Sequence, residues 1–211
     1  MLRRDMIAGL MATGLAAAPG PGRAFRARDS WRARTLYVDL GRAMLYAVEG
    51  AHVAILSRVI VGTRATPTPR VDSLLSHVRF RPTWRPTPRM VATGRYEDYT
   101  RPPGPSNPLG LAAIHFLHGG LIYLHGTNEP QLFARENRSL SNGCVRVETL
   151  EPLLAWILDW PRDAVQRALH GRRTYDEPTP PIPLVIAAAT DEPLLGLLAR
   201  VTEGQPIGGQ V

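Results

Sequence analysis

Cys144 is the single cysteine of a 211-residue chain, and it stands in the run Ser141-Asn142-Gly143-Cys144-Val145-Arg146, nineteen positions after His125. A lone cysteine has no partner for an intramolecular disulfide and is too few for a thiolate metal site. The plain alternative is a small buried apolar residue, the usual state of a free cysteine. Its neighbours argue for chemistry instead. Gly143 lets the backbone turn tightly and bring amides close to a bound carbonyl. A histidine upstream can take the thiol proton and leave the thiolate, the nucleophilic form. His125 and Cys144 therefore read as base and nucleophile.

The remaining chemistry is narrowed by what the chain lacks. All 25 basic residues are arginine. Ser-Lys dyads, lysine Schiff bases and a phosphate-loop lysine are excluded together. His115 and His118 bracket a possible metal spacing, with Glu97 or Asp98 as oxygen donors, but no third ligand falls at a supportive interval. The sequence thus predicts no metal site, with His118 a turn residue beside Gly119-Gly120. His52, His77 and His170 read as surface positions.

These residues must be held by a strand-rich scaffold. Residues 34–39, 43–48 and 52–61 carry alternating or continuous apolar side chains, separated by turns at Gly41 and Gly50. Residues 111–116 and 121–125 flank a glycine turn and read as a hairpin delivering His125. On that second strand Tyr123 shares a face with His125 and points toward the same cleft. Between 62 and 110 the many prolines predict loops with short strands. Helical spacing begins after Cys144, with Leu150, Leu153, Leu154, Ile157 and Leu158 on one stripe and Thr149 as N-cap. A second helix spans 162–169 and stops at Gly171. Residues 182–188 form one more strand.

The stretch from Pro102 to Val147 resembles the active-site segment of the L,D-transpeptidases, the YkuD-fold cysteine enzymes that cross-link bacterial peptidoglycan. Their pattern is a histidine, an intervening loop, then Ser/Thr-His-Gly-Cys and an arginine two places on. His125, Ser141, Gly143, Cys144 and Arg146 stand in register with it, and Asn142 replaces the frequent histidine. Pro103-Gly104-Pro105-Ser106-Asn107-Pro108-Leu109-Gly110, Val59-Ile60-Val61-Gly62 with Thr66-Pro67-Thr68-Pro69, and Arg81-Pro82-Thr83-Trp84 match the same family in the same order. The resemblance spans roughly residues 33 to 190 and is strongest to the YcbB-like catalytic domain.

The resemblance implies a mainly β fold, a YkuD-type β-sandwich with one or two helices after the cysteine. It implies Cys144 as nucleophile, His125 as base, and the Gly126 carbonyl as the group that orients the imidazole. Amides of Asn142, Gly143 and Cys144 would form the oxyanion hole. Arg146 would either pair with a carboxylate of the stem peptide or hold the turn; Ser141, Tyr123 and Trp84 complete the expected substrate contacts, with core packing the alternative for Trp84. The implied activity is a peptidoglycan cross-link, of 3-3 or 1-3 type, made through a thioester with one stem peptide as donor and a second as acceptor. No cofactor is implied, and carbapenems are the expected inhibitors. A hydrolase of the same fold is the rival, and a non-catalytic wall-binding protein the distant one. Residues 85–102 leave room for a short lid.

Residues 1–24 read as a signal peptide: Arg3-Arg4, an apolar run from Met6 to Ala18, and a small-residue end at Ala24. An uncleaved anchor is the alternative, and the twin arginines permit either export route. Both place the domain, residues 25–190, outside the cytoplasm, in the periplasm. Residues 191–211 read as a weakly specified tail. The formal charge is +7, and removing residues 1–24 takes away three arginines and one aspartate to leave +5. The arginines are scattered without aromatic interleaving or a nucleic-acid module, so no nucleic acid is expected, and an acidic wall polymer suits the charge. Contact with membrane is expected through the signal segment alone.

Overall fold

The computed structural model describes residues 34–188, apart from Ala51 and Arg95. The expected signal segment and the tail lie outside the described residues. Within them the chain runs β1 (Arg34–Asp39), β2 (Met44–Glu49), β3 (His52–Gly62), β4 (Val71–Phe80), α1 (Pro88–Ala92), β5 (Ala112–Phe116), β6 (Leu124–His125), a 3-10 turn (Pro130–Ala134), β7 (Ser139–Ser141), β8 (Val145–Val147), α2 (Leu150–Leu158), α3 (Arg162–His170), β9 (Tyr175–Pro178) and β10 (Pro183–Ala187).

Two long strands knit the architecture. β3 pairs with β2 along His52–Arg58 and with β8 at Val59 and Ile60. β4 pairs with β10 along Val71–Leu74, then with β5 and β9 from Leu75 to Phe80. Each therefore passes from one sheet to the other, and the mainly β sandwich expected from the sequence is what forms. The strand order is β10-β1-β2-β3-β8-β6-β5-β4-β9, with β4 also returning to β10.

The core lies between the sheets and under the helices. Leu36, Val38, Leu45, Val59, Val78, Phe80, Ile114, Leu124 and Val145 are buried from the strands, joined by Leu153, Leu154 and Ile157 of α2 and Val165 of α3. Burying each such apolar side chain is worth about 1.5–3 kcal/mol. α2 ends at Asp159 in the left-handed conformation, φ 54°. Arg34 of β1, itself buried, donates to the Trp156 carbonyl at 2.8 Å and to Asp159 at 2.6 Å. A cation there satisfies an orphan carbonyl and complements the helix dipole.

Several expectations are corrected. The proline-rich stretch holds a ten-residue strand, β4, because the prolines at 69 and 82 bracket it and none falls inside. β6 is two residues long, with residues 121–123 in the preceding turn. Thr149 occupies the α2 N-cap position without a side-chain cap bond; its amide instead donates to Ser57 Oγ at 3.1 Å. His77, expected at the surface, is half-buried: it lies directly opposite His115 across β4 and β5, with the rings stacked at 4.2 Å.

Candidate active site

β6 and β8 are parallel neighbours, in register Leu124 to Val145 and His125 to Arg146. This juxtaposition brings the histidine and the cysteine from nineteen residues apart onto adjacent strands. The Val145 amide donates to the Tyr123 carbonyl at 3.0 Å, locking Cys144 at the mouth of β8. Gly143, just before it, has φ +120°, a conformation that a side chain would strain. A second clamp comes from the Gly62–Thr68 segment. Thr63 N and Thr66 Oγ1 both donate to the Ser141 carbonyl, at 3.1 and 3.0 Å, and Thr68 Oγ1 accepts from Gly62 N at 2.8 Å.

Cys144 and His125 line one cleft of about 580 Å³ together with Tyr123, Trp84, Ser141, Asn142 and Arg146. His125 is 4 % exposed, and its Nδ1 lies 2.6 Å from the Gly126 carbonyl oxygen. A carbonyl can only accept, so Nδ1 carries the hydrogen and Nε2 keeps its lone pair. Burial lowers the imidazole to about 4, and the Arg146 charge pushes the same way. Hydrogen bonds to the Gly126 and Leu109 backbone oppose this and are outweighed. Burial raises the half-buried Cys144 thiol, against the pull of the Tyr123 backbone and of Arg146. Both shifts favour the neutral thiol and the neutral imidazole over a thiolate–imidazolium pair. The thiol donates to the Leu121 carbonyl at 3.4 Å. Such a pair moves its proton during attack and holds no thiolate beforehand.

Other expected residues fall differently. Ser141 is 4 % exposed and spends its hydroxyl on the turn, accepting from Gly143 N at 3.1 Å and donating to the Cys144 carbonyl at 2.5 Å. Its hydroxyl thus holds the turn, while the residue also lines the cleft. The same bond occupies the Gly143 amide, leaving those of Asn142 and Cys144 for an oxyanion. Arg146 has a side chain 15 % exposed, and its Nη1 donates to Glu129 at 2.9 Å and Thr127 at 3.4 Å. Its charge acts through His125 and Cys144. Tyr123 reaches the cleft, with its ring 4.4 Å from that of His115. Asp98 is held by both forks of Arg85 at 2.8 Å. Among the described residues no three histidine, cysteine or acidic side chains converge to hold a metal ion.

The roof of the cleft is the segment 82–107. Trp84 and Arg101 exchange backbone hydrogen bonds at 2.9 and 2.7 Å, closing the base of a loop. On it stands α1, capped by Thr87 Oγ1 accepting from Met90 N at 3.3 Å. Tyr96 packs edge-on against Trp84 at 5.8 Å and accepts from Asn142 Nδ2 at 3.2 Å. Asn107, fully buried, ties this roof to the histidine strand. Its Nδ2 donates to the Pro82 and Pro102 carbonyls at 2.8 and 3.1 Å, and its Oδ1 accepts from Leu109 N at 2.9 Å. Gly110 follows with φ +67°, where a Cβ would stand 2.5 Å from the Thr127 amide. The sequence did not single out Tyr96, Leu121, Glu129 or Arg101. The first two act through a lid contact and a backbone oxygen, neither carrying a residue-type signal.

The family model of the L,D-transpeptidase catalytic domain, YkuD, matches residues 33–182. A Haemophilus influenzae protein bearing the provisional name of an L,D-transpeptidase is 26 % identical, over 68 % of this chain and 38 % of its own length. The chain thus spans about two fifths of that relative. Among solved structures, an L,D-transpeptidase from Mycobacterium smegmatis aligns over 74 % of this chain and 59 % of its own, at 15 % identity and a TM-score of 0.48. The catalytic domain of the Enterococcus faecium L,D-transpeptidase acylated by ertapenem aligns over 73 % and 96 %, at 13 % identity and a TM-score of 0.42.

Proposed function

Because this chain belongs to the YkuD family of L,D-transpeptidase catalytic domains, we propose that it is an exported cysteine acyltransferase acting on peptidoglycan stem peptides. The observation that carries the reading is the buried His125, its Nδ1 held by the Gly126 carbonyl and its strand paired beside the Cys144 turn. As Sγ bonds to a peptide carbonyl at an L-centre, its proton passes to His125 Nε2. The amides of Asn142 and Cys144 would carry the charge that builds on the carbonyl oxygen. The carbon–nitrogen bond then breaks, the imidazolium returns its proton to the leaving amine, and a thioester on Cys144 remains. An amine of a second stem attacks that thioester, loses its proton to His125, and the thiol is regenerated. The energy of the cleaved peptide bond passes to the new one, so the chemistry runs without a nucleotide. That suits the periplasm, the compartment this reading proposes for the chain. Carbapenems would acylate the same sulfur through their strained carbonyl.

The test is to incubate the purified chain with disaccharide tetrapeptides and identify products by mass spectrometry. Cross-linked dimers are expected, and their fragmentation separates 3-3 from 1-3 links. Shortened monomers alone would make the chain a hydrolase of this fold. Absence of any product would remove the peptidoglycan reading.

A further inference from the structure

We propose that Arg101 anchors a substrate carboxylate in the Cys144 cleft, an inference that rests on the peptide-transfer reading above. Three arginines line the cleft: Arg85, Arg101 and Arg146. Arg85 is filled by Asp98 through two bonds of 2.8 Å. Arg146 has an unpartnered buried Nε, but its Nη1 is tied to Glu129 and Thr127. Arg101 differs from both. Among the described residues no carboxylate lies within ion-pair distance of it; its buried Nε, like that of Arg146, has no hydrogen-bond partner. A buried donor left unmet costs about 1–3 kcal/mol, and each such group in a folded protein calls for an explanation. In a cleft wall the explanation is a ligand that supplies the acceptor.

The residue is also placed with unusual firmness for a loop. Its backbone is bridged to Trp84 on both sides, Pro102 and Pro103 follow it, and Asn107 holds the Pro102 carbonyl at 3.1 Å. The guanidinium lies 4.9 Å over the Tyr99 ring, which orients its plane. A planar fork fixed in this way matches a carboxylate through two parallel hydrogen bonds. Arg146 cannot serve, since Glu129 already provides its carboxylate. The donor stem offers two sources of the same chemistry: the terminal carboxylate of the residue that leaves, and a side-chain carboxylate on the residue that is attacked.

The experiment measures kcat/KM of the full chain on a disaccharide tetrapeptide, on its C-terminal carboxamide and on its side-chain carboxamide. Wild type, Arg101→Gln and Arg101→Lys are compared, with the rate of Cys144 alkylation by iodoacetamide, a neutral reagent, as the control for cleft integrity. Wild type is expected to lose about thirtyfold on one of the two amides. Arg101→Gln should lose as much on the free acid and show no further loss on that amide, while Arg101→Lys falls between, keeping charge without the fork. The amide that shows the effect identifies the carboxylate. Arg101→Gln matching wild type on the acid, or slowing all three substrates and alkylation equally, overturns the assignment while leaving the peptide-transfer reading intact. A wild type that turns over none of the three sinks that reading and the assignment with it.

Discussion

His125 and Cys144 reach the cleft from strands hydrogen-bonded to neighbours on both sides, and the residues flanking them, Leu124 and Val145, are fully buried. The segment 82–107 crosses the same cleft with a five-residue helix, one backbone bridge and a few side-chain pairs, and no residue of α1 is buried. The reacting pair is thus held by ladder and core, whereas the roof is held by one amide, Asn107, and by contacts that solvent can replace. Chemistry that needs fixed geometry sits on the first kind of support. The part that meets varied peptide sits on the second.

The largest effect is expected where the rigid strip is broken chemically. Cys144→Ala and His125→Ala should each leave less than about a thousandth of wild-type turnover, and the double variant little less, since members of one cooperating unit are not additive. Circular dichroism should show both variants folded. If His125→Ala kept a tenth of the rate, a loss of about 1.4 kcal/mol, the base assignment would be wrong.

Acid should act on the same strip. The unfolded chain protonates His125 near 6.5, whereas the folded chain resists until about 4. The unfolded state therefore binds more protons in this window, and stability falls as pH drops from 6.5 to 4. The His125 share is on the order of 3 kcal/mol. His115, lowered to about 4 by burial and by the charges of His77 and Arg79, adds in the same direction, opposed by Asp176. Denaturant midpoints across this range should decline in wild type and decline less in His125→Gln. Equal declines would place the titrating group elsewhere.

The roof has one buried dependence. Asn107→Ala removes four side-chain hydrogen bonds, including those to the Pro82 carbonyl and the Leu109 amide, a cost of about 2–3 kcal/mol that a lowered midpoint would show. Activity should fall further than the unfolded fraction explains, since Trp84 and Arg101 are hung from the same loop. Unchanged stability would mean the roof is held by its exposed pairs.

Those pairs predict the smallest effects. Tyr96→Phe removes one exposed hydrogen bond to Asn142 and should change stability by less than about 0.5 kcal/mol and turnover by a few fold. Asn142→His should likewise alter turnover modestly. A large gain with histidine would show that the lid contact through Asn142 restrains the site.

The same contrast governed how far the sequence could be read. β1 and α2 fall on the residues that apolar patterning picks out: β1 is buried along nearly its whole length, and α2 buries one stripe, Leu153, Leu154, Ile157 and Leu158. Cys144 and His125 were legible because their neighbours, Gly143 and Gly126, are small for a backbone reason. β4 was missed: a register shift between Leu75 and His77 breaks its alternation, and prolines crowd both ends. β8 is three residues long, too short for any period, yet it sets the cysteine beside the histidine. The motif marks Arg146 in the sequence, and nothing marks Arg101 in so arginine-rich a chain. That Glu129 meets Arg146 and no described carboxylate meets Arg101 is a fact of tertiary structure alone.

Acylation of the sulfur itself is the most direct test. The chain is mixed with a disaccharide tetrapeptide without added acceptor, quenched in acid, and weighed intact by mass spectrometry. The predicted result is one adduct equal to the stem less its terminal residue, placed on Cys144 by peptide mapping, released by hydroxylamine and absent from Cys144→Ala. An adduct that persists in Cys144→Ala, or turnover with no covalent species at the shortest quench times, would contradict it.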